Sequence, residues 1–331
     1  MNKSVSTRQL IIFYGIYTFS IKFLSLPALL SQTAGKDAWI AALIGSIIEI
    51  AILFPIIFWL SRKDEKSIYE SLRWKVLGKI VMAVFFCVFF YEILILTEQT
   101  YNLINGNLFD YVPYYVFSLP LLFMGVFFCF QPTRSIFRSG ELFFVFIIIG
   151  IALSVFPALG NISGREVLPV FSGGAKPIFN AVLKSAIYFE SALFLLMFKG
   201  EIKIEKHFCK KFMTTAILLS AFFVFFVFMF YALFGPLAST KTIAITNFTT
   251  QSKFITASGR LDWVLITMWL LLIMLRFGIT FFCAFKCTKF IVAEAFKKFE
   301  RYNGVITLVL TVLITIAVYC VYTFAGVIPY V

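Results

Sequence analysis

Apolar residues run along this chain in long blocks separated by short polar stretches. A helix needs roughly 20 consecutive apolar residues to cross a bilayer, and blocks of that length recur over nearly the whole of the 331 residues. The pattern predicts nine membrane helices, at about 8–31, 38–60, 76–104, 114–131, 140–158, 177–198, 210–235, 262–290 and 303–327, with ends good to roughly 2–4 residues. The third is long enough to tilt or protrude. The polar stretches leave no room for a soluble domain, so residues 1–331 read as a single transmembrane domain.

Two of these blocks are interrupted. In the first, Lys22 sits in an apolar setting, followed by Ser25-Leu26-Pro27 and then the turn Ala34-Gly35-Lys36-Asp37. Pro27 has no N–H and its ring crowds the preceding turn, so the helix should kink or break there. In the sixth, Ser185, Glu190 and Ser191 put polar groups at mid-span beside Tyr188 and Phe189. Local unwinding fits that run; so does an unbroken helix with one buried Glu. In a membrane, freed backbone is tolerated only inside protein or against a cavity, and interrupted helices near the midplane are where many transporters build a substrate site. Five spans apart, helices one and six would be the matching first helices of a five-plus-five inverted repeat. The first repeat would cover about 8–158 and the second, incomplete one about 177–327.

Composition supports the membrane reading: 61% of residues are hydrophobic and only 14% charged, where a soluble domain averages about 25% charged. The net charge of +13 does not point to nucleic acid, because the Lys and Arg residues concentrate in the loops of one side. That asymmetry places the N-terminus in the cytoplasm, and nine spans then put the C-terminus outside. The segments 159–176 and 236–260 on the other side read as lids over the bundle or as ordinary loops; the second has room for a short interfacial helix. Asn161-Ile162-Ser163 and Asn247-Phe248-Thr249 match the glycosylation pattern and read as chance. The first block lacks a small-residue cleavage site, so it is a helix and not a signal peptide.

The six cysteines include no CxxC pair, and the one histidine, His207, lies in a basic loop. Cys283 and Cys287 stand four apart, but two thiols make a poor metal site. No metal or cofactor is expected. No phosphate loop, nucleotide fingerprint or Ser-His-Asp set appears, so the chain does not read as an enzyme.

Charges inside the bilayer are costly and usually face the bundle interior or a wet cavity. Lys22, Glu49, Glu92, Glu190 and Arg276 form such a set, with Glu98 further out on helix three. They read as interhelical struts, such as Lys22 with Glu190 or Arg276 with Glu49, or as ligand-binding and proton-carrying groups. Three acids against two bases leave one carboxyl without a fixed partner.

Ser6-Thr7-Arg8-Gln9-Leu10 opens helix one, and LPALLSQTAGKDAWIAALIG follows at 26–45. LPVFSGGAKPI precedes helix six at 168–178, and Arg260-Leu261-Asp262 opens helix eight. On these motifs the chain resembles the GerAB-type spore permeases, the B subunits of spore germinant receptors and relatives of the amino acid–polyamine–organocation transporters. The resemblance runs over most of the chain, and the stretch 26–45 is its most specific part. It implies an all-α, ten-helix polytopic fold of two inverted repeats with discontinuous helices one and six; this chain, ending after the ninth helix, would lack the tenth. It implies a subunit of the spore inner membrane or plasma membrane that senses a small germinant, often an amino acid, together with A and C subunits. The central pocket, lined by helices one, three, six and eight, would fall on Ile21, Lys22 and Ser25, on Glu92, Leu96 and Gln99, and on Tyr188, Phe189, Glu190 and Ser191. The family usually has small residues before the Leu-Pro of helix one and often Pro or Gly beside the Glu of helix six. This chain has Ile21-Lys22-Phe23 and Tyr188-Phe189 at those places. Lys22 would favour a carboxylate-bearing ligand over a cation. A proton-coupled amino acid transporter and a ligand-free scaffold for partner subunits are the alternative readings.

Overall fold

The computed structural model describes residues 5–62, 75–105, 113–189, 191–250 and 262–292, with isolated positions between 305 and 317. The protein is an all-α, polytopic membrane protein. Its first helix, α1 (Thr7–Lys22), starts from a reciprocal cap: Ser6 accepts from the Gln9 amide, and the Gln9 side chain accepts from the Ser6 amide. That arrangement satisfies two orphan N–H groups at once. The chain then breaks at Phe23–Ser25 and restarts as α2 (Leu26–Ala34), with Pro27 in its first turn. Proline is well tolerated there because the missing N–H has no intrahelical partner to lose. Gly35, at φ 58°, ends α2 in the left-handed region that glycine enters without penalty.

The helices α3 (Ala38–Ser61), α4 (Lys75–Asn105), α5 (Tyr114–Phe130) and α6 (Thr133–Val155) follow. The expected fifth helix begins seven residues earlier than its apolar block, because Pro132 supplies the extended residue before it. Arg134, Arg138 and Glu141 therefore ride on the helix beyond the hydrocarbon, and Glu141 accepts from Arg8 at 2.6 Å. The sixth helix is in pieces: α7 (Ala175–Ser185), a 3-10 turn at Ala186–Phe189, and the single turn α8 (Leu193–Leu196). The sequence left an intact sixth helix open; the structure has the broken one. Two residues on each side, β1 (Val5–Ser6) and β2 (Ile202–Lys203), pair in parallel and tie the start of the first helix to the end of the sixth. The chain continues through α9 (Phe208–Phe234), the short α10 (Ala244–Thr250) and α11 (Asp262–Val292). Of the ninth helix expected at about 303–327, the described positions 305, 308–309, 311–313 and 315–317 are helical, and the rest lies outside the described residues.

Among the described residues, five helical stretches are long and apolar enough to cross a membrane: Leu26–Ser61, Gly78–Asn105, Thr133–Ala152, Phe208–Thr240 and Leu265–Ile291. Fewer stand out than the sequence blocks suggest because the first and sixth are interrupted and α5 is short. The most deeply buried is the Leu265–Ile291 stretch. Its helix, α11, packs along α4 and α5 and touches α1 and α6, while α9 packs on α3 and both α2 and α3 pack on α7. The outer faces of α3, α5 and α6 carry exposed Ile47, Phe54, Phe123, Phe130, Leu142 and Val145, the face that such helices offer to lipid.

The close approach of α5 and α11 depends on two glycines. A Cβ on Gly125 would lie 2.7 Å from Phe281 Cγ, and one on Gly278 would lie 2.8 Å from the Phe128 ring. Overpacking of this kind costs about 1–3 kcal/mol. Gly125→Ala should therefore lower the melting temperature of the purified protein, and adding Phe281→Ala should make the pair less costly than the sum of the two. Strict additivity would show that the two helices do not depend on this contact.

Candidate functional site

The break in the first helix is held by its own turn: Leu24 N–H and Ser25 N–H both donate to Ile21 O, at 3.0 and 3.2 Å. The bulky residues of the break have definite places. Phe23 is buried and stacks on Phe19 and Phe222, with Phe226 of α9 also against it. Ile21 is buried, and Lys22 donates to Glu49 on α3. The carbonyl of Leu24, released by the break, accepts from the Ala244 N–H at 2.6 Å. Ala244 is the first residue of α10, so the short helix the sequence allowed in 236–260 exists and seals the break. Its Phe248 is buried among Phe226, Phe230 and Phe234.

The two breaks and helix three meet at one hydroxyl. Ser25 Oγ and Gln99 Nε2 each donate to the Tyr188 hydroxyl at 3.4 Å. Both bonds lie beyond the usual hydrogen-bond range, so the three elements are joined by weak, replaceable contacts. Leu96, also expected here, is buried on the same face of α4 as Glu92 and Gln99. Ser191 is buried, and its Oγ has no partner among the described residues. Phe189 lies in the 3-10 turn. Glu190 falls outside the described residues, and so does the expected Lys22–Glu190 strut.

Four of the five expected intramembrane charges form two ion pairs, Lys22–Glu49 and Arg276–Glu92, and neither is a pairing named from the sequence. Arg276 pairs with Glu92 on α4, not with Glu49: Nε lies 2.7 Å from Glu92 Oε1. Glu49 is already engaged by Lys22, and Arg276 reaches a carboxylate on the helix it packs against along most of its length. Both pairs are almost fully buried. The Arg276 guanidinium also donates to the Tyr17 carbonyl at 2.6 Å and lies 4.1 Å from the centre of the Tyr17 ring. The Tyr17 hydroxyl donates to Glu92 at 2.6 Å and lies 3.2 Å from Thr280 Oγ1. Around the other pair, Tyr14 stands close to Glu49 and also to Thr18. Tyr14, Tyr17, Thr18 and Thr280 were not expected in the site. The available signal was spacing: Tyr14, Thr18 and Lys22 recur every four residues, as do Arg276 and Thr280, which puts each set on one helix face.

Contacts tie the elements together at both ends of this region. At one end, Phe171 N–H donates to buried Asp37 at 2.7 Å, and Gln32 donates to Lys241 O. At the other, Lys286 of α11 donates to Met197 O and Glu201, and Lys199 lies over the Trp59 ring. No group of three or more metal-ligating side chains occurs among the described residues.

Removing one partner of a buried pair leaves an uncompensated charge and costs about 3–5 kcal/mol, whereas replacing both with apolar residues is often close to neutral. Glu92→Met and Arg276→Met should each lower thermal stability sharply, and the double variant should recover most of the loss. A double-mutant cycle in detergent reads this coupling; a double variant no better than the worse single one would contradict a mutual pair.

A family model for spore germination proteins matches residues 4–325. No curated protein matches the chain. With nearly the whole chain matched over a polytopic helical fold, the chain belongs to the spore germination protein family of permeases.

Proposed function

We propose that this chain is the permease-type subunit of a germinant receptor. It binds a small germinant, such as an amino acid, where its two broken helices meet, and passes the change to partner A and C subunits. Family membership gives it a germination-related permease role. The observation that carries the finer reading is the convergence of Ser25, Gln99 and Tyr188, from both breaks and helix three, on long 3.4 Å contacts. A ligand's polar groups can replace such contacts at little cost. A ligand that binds one arrangement of the breaks better shifts the population toward it by that difference in affinity. The released Leu24 carbonyl is bound by α10, which gives a route from the break to the bundle surface. In this reading the N-terminus is cytoplasmic, the membrane is the spore inner membrane or the plasma membrane, and helices one and six are equivalent members of two inverted repeats.

Lys22 is engaged by Glu49, so the groups at the meeting point that invite a ligand are hydroxyls and an amide. They suit the carboxylate or ammonium of a zwitterion as well as uncharged polar molecules. Proton-coupled transport is the second reading, because a site where two broken helices meet serves a transporter as well as a receptor. The transporter reading predicts uptake by this chain alone in vesicles, driven by a proton gradient. The receptor reading predicts ligand-dependent germination that needs the partner subunits and occurs without uptake.

The test is thermal-shift screening of the purified chain against amino acids, sugars and nucleosides, with Tyr188→Phe, Gln99→Leu and Glu190→Gln run beside wild type. A ligand that raises the melting temperature of wild type, and does so several-fold less in Tyr188→Phe and Gln99→Leu, is the expected result. A ligand whose effect is unchanged in all three variants would place the site elsewhere.

A further inference from the structure

A cavity lies beside the break in the sixth helix, and its described lining does not include Ser25, Gln99 or Tyr188. Gly45, Ile48 and Ile52 of α3 form one wall; Val182, Ala186 and Leu193 of the interrupted helix form the other. Its volume is about 280 Å³, just under the roughly 300 Å³ at which pockets for drug-sized ligands begin. Among the described residues, every lining side chain is apolar or absent. The rim at Ile48 and Ile52 is exposed and apolar, and Phe179 and Leu183 of the same helix α7 that supplies Val182 are exposed as well. This rim is continuous with the exposed Ile44 and Ile47 of α3, so the mouth opens on the face of a membrane-crossing helix. The polar positions of α7, Lys176, Asn180 and Lys184, turn away from the crevice wall: at 3.6 residues per turn Lys184 is roughly opposite Val182 and Ala186.

We propose that this crevice is a binding site for the acyl chain of a phospholipid, which enters from the bilayer and packs against the break in the sixth helix. The described lining offers water no polar side chain, and apolar cavities stay dry. An empty crevice forfeits the dispersion contacts of its lining. Lipid tails are as apolar as the walls, so the gain is in packing and not in the hydrophobic effect, and a flexible hydrocarbon chain is what the surroundings supply. Small residues make the room: Gly45 on α3, and Ala186 and Ala192 on the two sides of the break. The chain in the crevice therefore bears directly on the 3-10 turn and on the restart at Leu193. This site stands independently of the germinant reading.

The experiment reconstitutes the full chain in liposomes whose phospholipid carries a photoreactive diazirine at mid-acyl chain, and maps the adducts by mass spectrometry. Native mass spectrometry after delipidating detergent measures retention in parallel. Wild type should carry adducts at Val182 and Leu193 and keep a lipid through the detergent step. Ala186→Leu, which fills the crevice from one wall, and Ile48→Trp, which fills it from the exposed rim, should reduce both severalfold. Labelling at Phe123, on the open face of α5, should not change. The rim variant alters an exposed residue, so folding is preserved if the first variant fails. Adducts at the crevice that match Phe123 in number and wash out equally would mean ordinary annular lipid and overturn the proposal. Absence of crevice adducts, with the region shielded by a neighbouring polypeptide, would overturn it as well.

Discussion

A charge taken out of water into the interior of a membrane protein costs several kcal/mol unless it is paired and hydrogen-bonded, and two such pairs are settled against α1. Lys22, its last residue, meets Glu49 of α3. On another face of the same helix, Tyr17 gives its hydroxyl to Glu92 of α4 and its carbonyl to Arg276 of α11. The first helix is thus fixed to three others by charges that have nowhere else to go. It cannot slide or rotate by a turn without exposing a carboxylate or a cation to hydrocarbon. The bundle's packing is arranged around that condition: α11, the most buried long helix, is the one that delivers Arg276.

The broken backbone is the second demand. A released carbonyl or N–H at membrane depth must find a partner inside the protein. In the first helix the turn satisfies part of it, and the Ala244 N–H takes the Leu24 carbonyl. The bulky residues of the break are part of the solution. Phe23 closes an aromatic cluster with α9, while Lys22 turns to α3 and its acid. The same short stretch is therefore pinned by packing on one side and by charge on the other, and the weaker contacts at Tyr188 lie between. A site with rigid walls and replaceable central contacts is suited to a ligand that changes the relation of the two breaks.

The lateral crevice adds a third influence on the sixth helix. Its walls include both sides of the break, so on the readings proposed above a lipid chain there and a germinant at Tyr188 would act on one short segment from two directions.

The apolar blocks determined that this is a polytopic helical membrane protein, and they placed most helices to within a few residues, because burying about 20 apolar residues in a bilayer is a local, one-dimensional requirement. Pro27 and the turn at Gly35 also marked the first break from sequence, since proline's lost N–H acts wherever it stands. The four charges of the two buried pairs were visible by type for the same reason. Their pairing was not. Which carboxylate meets Arg276 depends on α11 lying against α4, a relation between segments 184 residues apart that no local spacing encodes. The start of α6 at Thr133, the strap of α10 on Leu24, the meeting of Ser25, Gln99 and Tyr188, and the small-residue crevice were likewise decided by the tertiary fold. Hydrogen bonds and voids exist between elements, and their partners are chosen only when the helices are brought side by side.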